Sequence, residues 1–346
     1  MAPLETATGR SGREVLAWSR GLVDPALREA VGRLPESMRR IAGYHFGWLD
    51  ESGRPVGSGD GGKSVRPALV LLAARAVGGT AEQAVPAACA AELVHNFTLL
   101  HDDVMDGDRT RRHRPTSWAV FGSSAAILAG DALLTLAFDV LAGAARPAVG
   151  TGMRTLSNVL YELVDGQSAD LAFEARKDVG LPECLRMAAG KTGSLLGGAC
   201  SLGAIFGGGD ADQVDRLRAF GEHVGLAFQF VDDLLGIWGD PGTTGKPVYA
   251  DLACRKKSLP VVAALNSGTE DARELAELYT SEDALSDTDL ARAARLIEAA
   301  GGRAWTEKQA DEHLARALSG LREAGLDEAA VAELGALAHL AVHRDH

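Results

Sequence analysis

Asp102, Asp103 and Asp106 sit together in the stretch Leu99–Thr116, LLHDDVMDGDRTRRHRPT, and Arg109, Arg111, Arg112 and Arg114 follow them closely. On a helix, Asp102 and Asp106 share a face, with Asp103 at its edge. Like charges stacked in this way repel, so a helix that keeps them calls for a cation to neutralise them. An all-oxygen ligand set suits a hard ion, and Mg²⁺ prefers a few carboxylates completed by water and substrate phosphate. The arginines can fork onto phosphate oxygens. Together they imply a grip on a magnesium–diphosphate. Solvated surface charge is the plain alternative for either group alone. The apolar lead-in to the acids argues instead for a helix buried up to that point.

A second stretch repeats the layout. In Phe228–Gly236 (FQFVDDLLG), Asp232 and Asp233 stand at the end of an apolar helix, and Gln229 projects from the same side one turn earlier. Asp240, Lys246 and the run Arg255-Lys256-Lys257 follow in a loop-rich segment. Two acid-tipped helices facing across a helical cavity would hold several Mg²⁺ ions on one diphosphate.

Other cations extend the pattern. Lys63 and Arg66 stand three apart at a helix start, where free backbone N–H groups favour an anion. Lys191-Thr192-Gly193 interrupts an otherwise apolar helix, and a lysine there needs an anion or a path to water. His95 lies two turns before Asp102 on nearly the same face; by itself it reads as a core histidine. Below Asp102, Thr98 is small and leaves space, and Phe97 is the first bulky side chain, a candidate floor.

These residues are carried by helices of 3.6-residue apolar spacing, expected over Arg13–Leu34, Glu36–Leu49, Ser64–Val77, Ala81–Asp106, Trp118–Ala145, Val149–Phe173, Pro182–Phe206, Asp210–Trp238, Glu298–Leu321 and Asp327–Val342. Residues 1–12 read as flexible and Asp50–Gly62 as a loop. The composition is rich in Ala, Leu and Gly, with 5% aromatics across 346 residues, which favours an all-α protein. No linker splits the chain, so one domain is expected. Gly57–Ser64 fits the phosphate-loop pattern GxxxxGK[ST] letter for letter, but no strand precedes it and no βα alternation follows, so a nucleotide reading fails.

A net charge of −12 argues against nucleic acid or an anionic membrane as main partner. The apolar stretch Ala125–Ala145 contains Asp131 and Asp139, which favours a helix of a large bundle over an integral membrane segment. Four scattered cysteines, Cys89, Cys184, Cys200 and Cys254, suit reduced thiols in the cytoplasm.

With GGKSVRP, ELVHNFTLLHDDVMDGDRTRRHRPT, GDALL, GQSAD, KTG, QFVDDLLG and GKP…RKKSLP in this order, the chain resembles the trans-isoprenyl diphosphate synthases (polyprenyl synthetases), over about Gly61 to Pro260. The resemblance implies an all-α single-domain bundle of the isoprenoid synthase type with a central cavity, paired as a homodimer. It implies condensation of an allylic diphosphate with isopentenyl diphosphate. It assigns Asp102, Asp106 and Asp232 to Mg²⁺, with Asp103, Asp233 and Asp240 as further candidates. Arg111, Lys191, Lys246 and Lys256 look like ligands of the allylic diphosphate, and Lys63, Arg66, His95 and Arg112 like ligands of isopentenyl diphosphate. Thr192 and Gln229 would flank the reacting carbons. A small residue at Thr98 with an aromatic at Phe97 looks like the geranylgeranyl (C20) pattern, with farnesyl (C15) as the alternative. Gly236 departs from the family, which commonly has a third Asp there; one metal contact is expected to be lost or supplied by Asp240. That departure keeps a class I terpene cyclase on the same fold open. A regulatory subunit of a heteromeric synthase is the remaining alternative.

Overall fold

Some helix starts in this chain, those at Gly12, Ala81 and Asp287 among them, are marked by side chains that accept hydrogen bonds from the first free backbone N–H groups. Ser11 and Glu14 form a capping box on α1 (Gly12–Gly32). α2 (Glu36–His45) and α3 (Val65–Ala76) follow, and Thr80 with Gln83 caps α4 (Ala81–Met105). A hairpin of β1 (Thr110–Arg111) and antiparallel β2 (Arg114–Pro115) comes next. After it run α5 (Ser117–Phe121), α6 (Ser123–Ala142), α7 (Val149–Ala175) and α8 (Leu181–Ala188). A π-helical turn, Ala189–Gly193, leads into α9 (Ser194–Gly207), then α10 (Ala211–Trp238). The short α11 (Pro241–Thr244), α12 (Ala250–Ala253) and α13 (Leu259–Leu265) precede α14 (Glu270–Thr280), α15 (Asp287–Ala299), α16 (Gly302–Arg322) and α17 (Glu328–Val342). The computed structural model describes residues 9–56, 64–145, 147–244, 247–280, 283–322 and 325–343.

The all-α expectation holds, with interruptions that apolar spacing does not reveal. Gly122, at φ 87°, divides the helix expected over Trp118–Ala145. Gly301, at φ 84°, starts α16 later than the expected Glu298. The second helix stops at His45 rather than Leu49. Residues 9–12, expected to be flexible, are held: the backbone and guanidinium of Arg10 donate to Glu333, and α1 already begins at Gly12.

Where the sequence suggests one domain, contacts divide the chain into two compact units. The first comprises Met1–Ser157, Gly198–Arg218 and Leu321–Leu340; the second comprises Asn158–Gly197, Ala219–Gly320 and Ala341–His346. No linker marks the division because it falls within continuous helices, α7, α9, α10, α16 and α17.

In the first unit α4 is the axis, with α3 and α6 packed along it. The Ala-rich run Ala87–Ala91 is buried on every side, and small side chains let neighbouring helices approach closely. Among the described residues, α6 alone is long and apolar enough to cross a membrane; it carries Asp131 and Asp139.

In the second unit, Phe173, Cys184, Met187, Phe230, Leu259 and Val262 form one apolar cluster. Ile237, Leu252, Val261, Leu275, Ala293 and Ile297 form another. Between them these clusters clamp the end of α10 and the start of α13.

Candidate active site

In the first unit the acidic motif closes α4, with the backbone N–H of Asp106 bonded to the Asp102 carbonyl at 2.8 Å. The three acids are not equivalent. Asp102 is half-buried and Asp106 exposed, whereas Asp103 is only 1% exposed. Asp103 turns inward and accepts from Arg111 Nε at 2.7 Å. Burial pushes its carboxyl up to about 6, against the pull of Arg111; its Oδ2 has no hydrogen-bond partner.

The basic run separates by role. Two arginines anchor the hairpin: Arg114 donates to the Tyr44 and Leu49 carbonyls and stacks on the Tyr44 ring, and Arg109 lies over Trp118. Arg111, on β1, pairs with Asp103, and Arg112 is exposed at the turn. Arg112 and His113 occupy that turn at φ 52° and 59°, a left-handed conformation that costs non-glycine residues free energy. Apolar spacing gives no sign of strands two residues long.

His95 is half-buried on α4. Burial, with the positive charge of Arg66, Arg112 and Arg111, holds its imidazole neutral, well below its usual range. His45 is brought down to about 3 by burial and by Arg112 and Arg111. Glu92, 5% exposed, is the counter-charge: Asn96 Nδ2 donates to its carbonyl and carboxylate at 2.8 and 3.1 Å, and Arg66 opposes the upward push of burial. Three guanidiniums thus bear on these neutral imidazoles, a local charge balance that suits an anion. A cleft of about 710 Å³ in this unit is lined by His45, Arg54, Asp103, Arg111 and Arg112, among others. Phe97 is nearly buried, and Thr98, half-buried, donates its hydroxyl to the His95 carbonyl at 2.8 Å. Lys63 lies outside the described residues, as does most of the phosphate-loop-like segment.

The second unit carries its candidate residues on the π-turn and on α10. A Cβ at Gly166 on α7 would overlap the Lys191 backbone, so this crossing requires glycine. π-turns inside helices recur at functional sites, and this one carries Lys191 and Thr192. The anion expected for Lys191 is present in the chain itself: Nζ lies 2.6 Å from Asp170 Oδ2. Thr192 donates to Gln229 Oε1 at 2.6 Å, Gln229 Nε2 donates to Asp233 Oδ1 at 2.8 Å, and Leu259 N donates to Asp233 Oδ2 at 2.8 Å. Asp233 is 4% exposed, and burial pushes it up to about 6 while Lys256 opposes. Asp232, beside it, is exposed. Burial disfavours the charged Lys256, but Asp251, Asp233, Asp170 and Asp232 outweigh it and keep the ammonium.

Two functional candidates escaped sequence reasoning. Asp170 closes the quoted GQSAD motif, yet only its partner Lys191 was singled out. Asp251 answers the Gly236 departure: a Cβ at Gly236 would overlap the Asp251 carboxylate, which therefore fills the space where a side chain would begin. Asp240, expected as the substitute, lies exposed beyond the end of α10. Lys246 lies outside the described residues.

Among the described residues no three His, Cys, Asp or Glu side chains converge into a ready-made metal cage. The donor set nonetheless fits Mg²⁺, which binds through one or two carboxylates and completes its shell with water and substrate phosphate. Each motif buries its second acid and leaves the first more accessible, Asp102 half-buried and Asp232 exposed.

The chain is matched by the family model described as Polyprenyl synthetase over residues 55–297. It is 47% identical to the (2E,6E)-farnesyl diphosphate synthase of Mycobacterium bovis over 95% of this chain and 92% of the relative. It is also 47% identical to the geranylgeranyl diphosphate synthase of Mycobacterium tuberculosis, over 90% of this chain and 89% of the relative. The crystal structure of the polyprenyl synthetase from Streptomyces coelicolor superposes with a TM-score of 0.90 at 47% identity, over 95% of this chain and 99% of the other. The all-helical architecture, the paired acidic motifs and the extent of these matches lead to one conclusion: the chain belongs to the polyprenyl synthetase family.

Proposed function

We propose that the chain joins an allylic diphosphate to isopentenyl diphosphate and releases a product of farnesyl (C15) or geranylgeranyl (C20) length. It is a short-chain trans-prenyltransferase. Relatives of equal identity carry both product names, and the space left by Thr98 above Phe97 favours C20.

The mechanism follows from charge. Breaking the allylic C–O bond creates a carbocation and a diphosphate anion, so fixed positive charge must meet the anion as it departs. Arg111, Lys191, Lys246 and Lys256 take that task. Asp102, Asp106 and Asp232 would hold Mg²⁺, which would supply Lewis-acid charge to a bound diphosphate. Lys63, Arg66, Arg112 and neutral His95 hold the second diphosphate and present its alkene to the cation. Thr192 and Gln229, bonded to each other, flank the reacting carbons. The released diphosphate takes the proton that restores the alkene, and water is kept out because it would quench the cation.

One observation carries this reading: beside the first acidic motif, Arg66 and Arg112 act on the His95 imidazole, positive charge beyond what the allylic diphosphate takes, which supports a site for a second diphosphate. A terpene cyclase needs one diphosphate only and leaves this charge idle. The chain acts as a homodimer in the cytoplasm; exposed Ile127 and Leu128 on α6 and free cysteines support this. Purified protein with Mg²⁺, isopentenyl diphosphate and allylic starters of C5 to C15 is expected to yield longer diphosphates. Absence of chain growth from every starter, or a hydrocarbon released from one prenyl diphosphate, would remove the reading. Activity of the protein alone would exclude an obligately regulatory subunit.

A further inference from the structure

His101 precedes the first acidic motif directly, yet its side chain does not join the acids. Nε2 lies 3.0 Å from the Ile127 carbonyl on α6, and the Asp131 carboxylate is 3.7 Å away. A carbonyl only accepts, so Nε2 carries the hydrogen. α6 comes this close because residue 130 is glycine: a Cβ there would overlap Nε2 and Cδ2 of His101. Gly130 thus makes a slot in α6 that the imidazole fills.

The same ring supports Phe97. One turn apart on α4, the two side chains meet edge to face with centroids 4.7 Å apart. Phe97 is 9% exposed, so its placement depends on the neighbours that confine it. On one side that neighbour is a ring fixed to another helix by a hydrogen bond. Interiors packed this closely leave an aromatic ring little freedom unless a neighbour moves.

We propose that His101, seated in the Gly130 slot of α6, is a positioning residue that fixes the reach of Phe97 and thereby the length of the product. The inference rests on Phe97 acting as the cavity floor. Removing the imidazole lets Phe97 turn into the vacated slot, which deepens the cavity. A methyl group at residue 130 does the reverse, driving the imidazole toward Phe97. The two changes therefore move product length in opposite directions, a signature that general loosening of the helix pair does not produce.

The test sizes products by mass after incubation with Mg²⁺, isopentenyl diphosphate and C5, C10 and C15 starters. His101→Ala is expected to shift the main product longer by one C5 unit, and Gly130→Ala to enrich the next shorter one. His101→Gln, which keeps a planar group with a donor at similar reach, is expected to restore the parent distribution. For all three, kcat/KM of the first condensation on the C5 starter stays within about threefold of the parent. Phe97→Ala is the reference. If it lengthens the product while His101→Ala and Gly130→Ala leave the distribution unchanged or move it the same way, the inference is overturned and the floor reading survives. If Phe97→Ala changes nothing, the floor reading fails and takes the inference with it. Should Gly130→Ala not fold, His101→Ala against His101→Gln decides alone, since the first only removes atoms and the second returns the donor.

Discussion

The two acidic motifs follow one plan with different fastenings. In both, the first acid is more accessible than the second, which is buried and pushed up to about 6. Asp103 is fastened by Arg111, a guanidinium on a hairpin that the proposed mechanism also sends to the allylic diphosphate. Asp233 is fastened by the Leu259 backbone and the Gln229 amide, partners that no phosphate competes for. The difference separates a clasp from a rivet. In the proposed mechanism the Asp103–Arg111 pair opens when the diphosphate arrives, whereas Asp233 ties α10 to the start of α13 and holds Gln229 against Thr192.

The largest expected effect tests the shared part of the plan. Asp102→Asn and Asp232→Asn each remove the more accessible acid of a motif, and each is expected to lower kcat/KM by about 10³-fold, the scale for losing charge stabilisation in a transition state. Thermal unfolding should be unchanged in both. A Mg²⁺ titration of steady-state rates checks this, and a loss confined to one motif would break the symmetry.

Clasp and rivet then predict opposite failures. Asp233→Ala strands the buried Leu259 N–H and leaves the half-buried Gln229 amide without its acceptor, at a cost of about 2 kcal/mol, and should lower the unfolding temperature by several degrees. Asp103→Ala leaves a half-exposed Arg111 that water can serve, at about 1 kcal/mol or less. Its effect should fall on KM for the allylic substrate instead. Denaturant melts beside kinetics read both; equal destabilisation would erase the distinction.

A smaller effect concerns Gly236 and Asp251. Gly236→Asp forces a second carboxylate into the space Asp251 fills and is expected to reduce kcat about tenfold through repulsion and crowding. Asp251→Ala alone removes a partner of Lys256, 3.9 Å away. The double variant Gly236→Asp/Asp251→Ala should recover most of the loss. A double variant as poor as the sum of the singles would show that the two carboxylates do not substitute for one another.

How much of this was legible beforehand differs between the halves for physical reasons. α4 and α10, long and apolar up to their acids, announced themselves through spacing, and Asp102, Asp232 and Gln229 lie on them as that spacing puts them. Asp170 and Asp251 did not, because a lone acid on a helix looks like solvated surface until a lysine is found against it. The Arg112–His113 turn was hidden because residues held at positive φ by their surroundings leave no turn signal such as Asn-Gly. The π-turn was half visible, as a lysine in an apolar helix, but the anion it meets came from α7. The GxxxxGK[ST] match could be set aside from the sequence alone, because a short pattern without its strand carries no fold.

The smallest effect contrasts the histidines of the two units. In the first, His45 and His95 are kept neutral by burial and surrounding arginines. In the second, His223 on α10 and His313 on α16 bond through their Nδ1 atoms at 3.0 Å, with His313 also against Phe230. One nitrogen must donate and the other accept, so at least one ring is neutral. Burial lowers both, His313 to about 4, with His223 and Arg316 adding to the effect and Glu312 opposing it. A histidine whose folded value lies below its unfolded 6.5 binds more protons when unfolded, so stability rises with pH across that interval. The pair's contribution is full above about pH 6.5 and is lost as pH falls toward about 4. Solvent screening of these partly exposed rings keeps it on the order of 1 kcal/mol. Unfolding temperatures between pH 7 and pH 4.5 should fall less steeply in His313→Gln than in the parent, because glutamine cannot take up the proton. An identical slope would assign the acid sensitivity to the arginine-ringed histidines of the first unit instead.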